Sequence, residues 1–74
     1  MGISKAQSAI YDEIKKTEAF LLRGDICVYE ATQHLSRAIN AASWDYVNGK
    51  GGRFDSIAAY HKAFEMLAKA TKRK

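Results

Sequence analysis

One cysteine and two histidines carry most of the reactive chemistry that this sequence offers. Cys27 and His34 lie seven residues apart, which on one α-helix is about two turns, or roughly 10 Å. A thiol nucleophile and its general base must come within about 3 Å of each other. The pair therefore cannot form a catalytic dyad within one helix, although Cys27 could still meet His61 through the fold. We expect Cys27 to be a small buried hydrophobic residue beside the core.

His61 and Glu65 stand at positions i and i+4, close enough on a helix to share a proton or a divalent ion. Two ligands make an incomplete metal site, and one cysteine with two histidines cannot supply four zinc ligands. A histidine hydrogen-bonded to a neighbouring carboxylate is the favoured interpretation. The sequence also contains no nucleophile elbow and no Walker lysine pattern. We predict a protein without metal, cofactor or enzyme activity.

A glycine-rich segment from Asn48 to Arg53 contains three glycines and two cations ahead of a predicted helix. Backbone N–H groups at a helix N-terminus can hold a phosphate, with Lys50 and Arg53 adding charge. Tyr46 or Trp44 would then stack on the base of a nucleotide. The segment does not match G-x-x-x-x-G-K-[ST] and follows a helix rather than a strand. A mobile turn is favoured, and capture of a small phosphorylated ligand is a further alternative.

The net charge of +4 comes entirely from the end of the chain. Residues 1–68 carry eight basic and eight acidic residues, and positions 69–74 add four basic ones. Nucleic-acid domains usually carry a basic stripe on the folded surface, whereas a basic helix C-terminus also complements the helix dipole. Nucleic-acid binding remains an alternative. It would use phosphate contacts from the third helix, the glycine loop and the basic tail: Lys50, Arg53, Lys62, Lys69, Lys72, Arg73 and Lys74.

The elements that must position these residues are predicted to be helices. The chain has no proline, and apolar residues recur at spacings of three and four. We predict one all-α domain over residues 1–74, with helices at about 3–22, 26–47 and 55–71 and a flexible basic tail at 72–74. Gly24 is expected to end the first helix, while Asp25 and Asp55 cap the next two. The short first connection favours an antiparallel hairpin, with the third helix following the Gly-rich loop.

Each predicted helix has an apolar stripe that should face the core. The first stripe is Ile3, Ala6, Ile10, Ile14, Thr17 and Leu21, widened by Phe20. The second stripe is Val28, Ala31, Leu35, Ile39, Ala42 and Tyr46. The third stripe is Ile57, Tyr60, Phe64, Leu67, Ala68 and Thr71, and it leaves Met66 outside.

Trp44, the only tryptophan, falls nearly opposite the core stripe of the second helix. Arg37, Gln33 and Ile26 lie beside it, and Tyr29 lies on its flank. Trp, Tyr and Arg are enriched in protein interfaces. Single exposed hydrophobic residues are normal, however, and a helix that touches two others has a wider apolar face. We favour an interface formed by these five residues.

A chain of 74 residues rarely gains more than about 3–5 kcal/mol from its core, so small folds often add a stabilising link. The lone cysteine excludes an intrachain disulfide and fits a reducing, cytoplasmic compartment. No apolar run approaches the roughly 18 residues of a membrane span. We therefore predict a small non-catalytic regulator that forms a homo-oligomer, most simply a dimer. It would bind and modulate an unidentified protein partner.

Overall fold

The helical periodicity of the sequence produces three α-helices in the computed structural model, which describes residues 3–72. Helix α1 spans Lys5–Arg23, α2 spans Val28–Val47 and α3 spans Ser56–Lys72. Each helix contacts both others, and there is no strand within the described residues. The predicted all-α three-helix fold is confirmed. Lys72, expected to begin the tail, is the last residue of α3, and Arg73 and Lys74 lie outside the described residues.

Gly24 ends α1, as predicted. Its φ of 81° is left-handed, a conformation that glycine adopts without steric cost. The Gly24 N–H donates to the carbonyl of Leu21, and the Asp25 N–H donates to that of Phe20. These bonds satisfy carbonyl groups that the end of a helix leaves free. They also turn the chain back toward α2.

Two predictions about the start of α2 are wrong. Asp25 does not cap the helix, because its carboxylate pairs with Arg23 at 2.9 Å. Cys27 is not buried but exposed, and it is the N-cap of α2. The Cys27 N–H donates to Oε1 of Glu30 at 3.0 Å, and Sγ accepts from the Glu30 N–H at 3.5 Å. This reciprocal capping box uses a thiol where Ser, Thr, Asp or Asn is the usual residue.

Cys27→Ser should therefore strengthen the cap, since a hydroxyl oxygen is a better acceptor than a thiol sulfur. Cys27→Ala removes the acceptor altogether. We expect the serine variant to be at least as stable as the native chain, and more stable than the alanine variant by about 1 kcal/mol. Urea unfolding followed by circular dichroism measures both differences. Equal stability of the serine and alanine variants would show that the cap contributes nothing.

The predicted stripes of α1 and α2 are buried at their centres. Ile10, Ile14 and Thr17 of α1 are buried, as are Ala31, Leu35 and Ile39 of α2. The ends of the stripes are less covered, because a terminal turn has fewer neighbouring elements to pack against. Four predicted core residues are exposed for this reason: Ile3, Phe20, Val28 and Tyr46.

Helix α3 is rotated relative to the predicted stripe. Ile57 and Phe64 are 82% and 62% exposed, whereas Ala59, Ala63 and Met66 are buried. The predicted stripe contained the first two and omitted the last three, so it is wrong at these five positions. Alanines on the inner face allow close approach to α1 and α2, and Tyr60 and Leu67 of the predicted stripe pack half-buried beside them. Ala68 and Thr71, also in that stripe, are exposed.

Phe54, in the loop before α3, supplies apolar volume to the core that Phe64 does not. It is 5% exposed and belongs to the core cluster together with Ala59. Asp55 caps α3 as predicted, since its Oδ1 accepts from the Ala58 N–H at 3.0 Å. Phe54 and Ala59 therefore occupy the N′ and N4 positions of a hydrophobic staple. This arrangement helps set the direction in which the chain enters α3.

Because Ala63 is buried and Phe64 is exposed, substitutions at these adjacent residues should differ in their effect on stability. Ala63→Leu adds volume to a packed site and should cost about 1–3 kcal/mol of unfolding free energy. Phe64→Ala truncates an exposed ring and should change the stability of the monomer by no more than about 0.5 kcal/mol. Both are measured by urea unfolding in a Trp44→Ala background, which is expected to prevent the predicted self-association. If Phe64→Ala lowered the free energy of unfolding strongly and Ala63→Leu left it unchanged, the stripe predicted from the sequence would be right.

Gln7 ties the loop before α3 to the start of α1. Its side chain is buried, with Oε1 accepting from the Asp55 N–H at 2.7 Å and Nε2 donating to the Asp55 carbonyl at 3.0 Å. Nε2 also donates to Tyr11, and the Ser4 hydroxyl donates to the carbonyl of Arg53. The second half of the glycine-rich loop is therefore attached to α1. This attachment supports the rotation that α3 adopts.

Candidate functional site

Trp44 lies on the outer side of α2, with 70% of its surface exposed. Tyr29, Gln33 and Arg37 are also exposed and follow one another at intervals of one helical turn. Ile26, which we grouped with them, does not belong to this surface. It precedes the N-cap of α2, so helical spacing does not apply to it. It is half-buried and lines a small crevice between α1 and α2.

Helix α3 continues the same surface. The Tyr60 hydroxyl donates to Oδ1 of Asn40 on α2, and the Tyr60 ring stacks on Phe64 with 6.3 Å between centroids. Trp44 lies one turn beyond Asn40, and Phe64 lies one turn beyond Tyr60. Ile57 lies about one turn before Tyr60 on the same flank. The hydrogen bond therefore places these exposed residues on neighbouring sides of α2 and α3.

The most exposed large hydrophobic residues of the described chain all lie on this surface. Val47 and Tyr29 share a side of α2 with Asn40, because the seven and eleven residues that separate them are close to whole numbers of turns. The fractional exposures of the set range from 62% to 82%. We call this surface the α2–α3 face and define it by Tyr29, Trp44, Val47, Ile57 and Phe64.

Comparison with known proteins adds no constraint on function. No protein-family model, no curated protein and no solved structure matches this chain. Among residues 3–72, no helix combines the length and the apolarity that a membrane span requires. The functional argument therefore depends on the residues and their geometry.

The titratable residues form pairs rather than a catalytic cluster. His61 Nε2 lies 3.4 Å from Glu65 Oε2, the predicted histidine–carboxylate contact. A second pair, which the sequence did not reveal, joins α2 to α1 through His34 Nε2 and Glu13 Oε2 at 2.6 Å. Within residues 3–72, no three His, Cys, Asp or Glu side chains are grouped so that they could hold a metal ion. The His34–Glu13 pair connects two helices, and the His61–Glu65 pair lies within one helix.

Cys27 and His61 lie far apart along the bundle. Tyr60, the neighbour of His61, contacts Asn40, which is thirteen residues beyond Cys27 along the chain. That separation corresponds to about 20 Å along α2. The fold therefore separates Cys27 and His61 too widely for them to form a catalytic dyad.

The predicted phosphate-contacting residues within the described chain are divided between two regions. Lys62, Lys69 and Lys72 line a groove of about 920 Å³ between α1 and α3, where Lys15 and three carboxylates lie among them. Lys50 and Arg53 lie in the loop at the opposite end of α3. Two further candidates, Arg73 and Lys74, lie outside the described residues. The cations are thus interleaved with acids and do not gather into one patch.

The N-terminus of α3 is an unfavourable place for a phosphate. Asp55 already places a carboxylate there and accepts the N–H of Ala58. The N–H of Asp55 itself is used by Gln7. An incoming anion would meet negative charge and would have to displace these bonds. The phosphate hypothesis at Lys50 and Arg53 stays a prediction, and the local geometry disfavours it.

Proposed function

We propose that this protein is a non-catalytic interaction module that self-associates through the α2–α3 face and modulates a partner protein. The observation that carries the proposal is the shared location of the five most exposed large hydrophobic residues. Scattered hydrophobic residues are normal on a protein surface, but several large ones that share one face favour an interaction site. On α2, Gln33 and Arg37 lie between Tyr29 and Trp44, and arginine is one of the residue types enriched in interfaces.

The chain exposes more surface than a compact domain of its mass is expected to expose. The chain exposes 5497 Å², whereas a folded monomer of 8.3 kDa is expected to expose about 4,600 Å². The difference of about 900 Å² is close to the roughly 800 Å² that each partner buries in a standard interface. It accompanies an elongated shape, with extents of 41, 24 and 16 Å. An elongated shape of this kind leaves helix sides uncovered by the rest of the chain, as the proposed self-association requires.

The face also has a composition that a second copy can match. Two-fold dimers bring the same patch of both subunits together, so the patch must not repel itself. The five residues that define the face are uncharged, and the outward side of α2 carries one cation among them, Arg37. Apolar and aromatic side chains tolerate contact with their own copies, and their burial provides the main favourable term in association. A homodimer is therefore the simplest form of the proposed assembly.

Sedimentation and fluorescence together test this proposal on the native chain. Trp44 is the only tryptophan, so the indole emission reports on this face alone. We expect a reversible monomer–dimer equilibrium, with an emission maximum that moves to shorter wavelength as Trp44 leaves water. A sedimenting monomer with unchanged emission across the accessible concentration range would rule out self-association.

Nucleic-acid binding remains the alternative prediction, and the net charge of +4 is its support. Binding through phosphates releases counterions, so its affinity must fall steeply as salt is raised. Fluorescence anisotropy of a labelled oligonucleotide measures this directly. An affinity that is negligible, or that does not change between low and moderate salt, would remove the alternative.

A further inference from the structure

Given the self-association proposed above, on which this inference rests, we propose that the two subunits pack with their α2 helices antiparallel. The two-fold axis crosses α2 midway between Arg37 and Asn40. Trp44 of each subunit then packs against the partner's Gln33 and the partner's Arg37. The occupant of the α2–α3 face is thus a second copy in one defined orientation.

The order of residues along α2 supports the antiparallel arrangement. The outward stripe runs Tyr29, Gln33, Arg37, Asn40 and Trp44, and all five residues are exposed. A two-fold axis at the midpoint between Arg37 and Asn40 places Arg37 opposite the partner's Asn40. It also places Gln33 opposite the partner's Trp44. It also brings Tyr29 beside the partner's Val47. Every large side chain of the stripe therefore meets an exposed position on the opposite copy.

Charge distinguishes this arrangement from parallel α2 helices. A parallel pair would place Arg37 directly against the partner's Arg37, and like charges in contact are unfavourable. The antiparallel pair places Arg37 opposite the partner's Asn40 and within about one turn of the partner's Trp44. A guanidinium group within about 6 Å of an indole ring is attracted to its face. The helix dipoles also oppose each other in the antiparallel pair.

Helix α3 gives an independent indication of the same axis. The midpoint of its exposed pair, Ile57 and Phe64, falls beside Tyr60. Tyr60 is hydrogen-bonded to Asn40, which lies next to the midpoint of the α2 stripe. The exposed apolar residues of α2 and those of α3 are therefore centred at nearly the same height along the helix axes. A two-fold axis at that level brings Phe64 within one turn of the partner's Ile57.

Native Cys27 allows this orientation to be measured without a substitution. It is the only cysteine and is exposed, so each chain accepts one spin label. Cys27 lies about 17 Å from the proposed axis along α2, and packed helices are about 8–10 Å apart. Pulsed dipolar spectroscopy of the labelled dimer should therefore give a distance of about 35–40 Å, including the label. Circular dichroism confirms that labelling leaves the helices intact.

Each result separates the orientation from self-association itself. A dimer in which the two labels lie within about 20 Å would overturn the antiparallel arrangement while leaving the proposed function intact. A sample that sediments as a monomer and shows no dipolar signal would overturn both. Labelled Trp44→Ala should lose the dipolar signal, whereas labelled Leu22→Ala should retain the long distance, since Leu22 lies at the end of α1. A signal that survives Trp44→Ala unchanged would place the contact elsewhere.

Discussion

Trp44→Ala is expected to convert the proposed dimer into a monomer at concentrations where the native chain would associate. Truncation of an interface tryptophan at a hot spot costs about 2 kcal/mol or more. A two-fold interface contains two copies of Trp44, so the total loss is about 4 kcal/mol. This corresponds to a dissociation constant raised roughly a thousandfold. Sedimentation velocity across a dilution series measures the change.

The matched control for this result is Leu22→Ala. Leu22 is also a large exposed hydrophobic residue, with 47% of its surface accessible, but it lies near the end of α1 and outside the α2–α3 face. It should leave the dissociation constant within about twofold of the native value. Helicity should persist in both variants, because neither side chain belongs to the core. Equal weakening by the two substitutions would point to a nonspecific effect of surface hydrophobicity.

Gln7→Ala is expected to have the largest effect on stability among single polar substitutions. It removes the two hydrogen bonds to the backbone of Asp55 and the bond to Tyr11. A typical hydrogen bond contributes about 1 kcal/mol, and a partly buried group left without a partner adds to the cost. We expect a loss of about 2–4 kcal/mol, a large part of the stability available to a domain of this size. Urea unfolding in the Trp44→Ala background isolates the effect on the monomer.

Gln33→Ala provides the same chemical change on an exposed helical turn. Gln33 is the only other glutamine, and it should change stability by no more than about 0.5 kcal/mol. The Gln7 variant should also expose the loop before α3, which hydrogen exchange at the Asp55 and Ala58 amides can detect. Similar stabilities for the two variants would show that the clamp does not hold the loop.

The local features of this fold were predictable from the sequence. The central core residues of α1 and α2 repeat with the helical period, since burial of one face requires that spacing. Gly24 and Asp55 were identified as helix-end residues because their conformational and capping properties are intrinsic. The position of Trp44 outside the core arc follows from the same period. These features depend on neighbours within a few residues, which the sequence displays directly.

The remaining features depended on contacts between distant segments. In α3, large apolar residues at helical spacing indicated one face, yet the bundle buries Ala59 and Ala63 because small side chains allow closer packing. Phe54 then supplies core volume from outside the helix. The Gln7 clamp joins positions 48 residues apart, so no local pattern could reveal it.

The same distinction applies to the candidate site. The sequence by itself placed Trp44 on the surface and identified Tyr29 beside it. Only the tertiary structure shows that Ile26 lies off the surface around Trp44 and that Ile57 and Phe64 lie on it. The rotation of α3 decides which of its residues face outward. A helical period determines which residues share a side of one helix. The packing of helices against each other determines which sides become a common face.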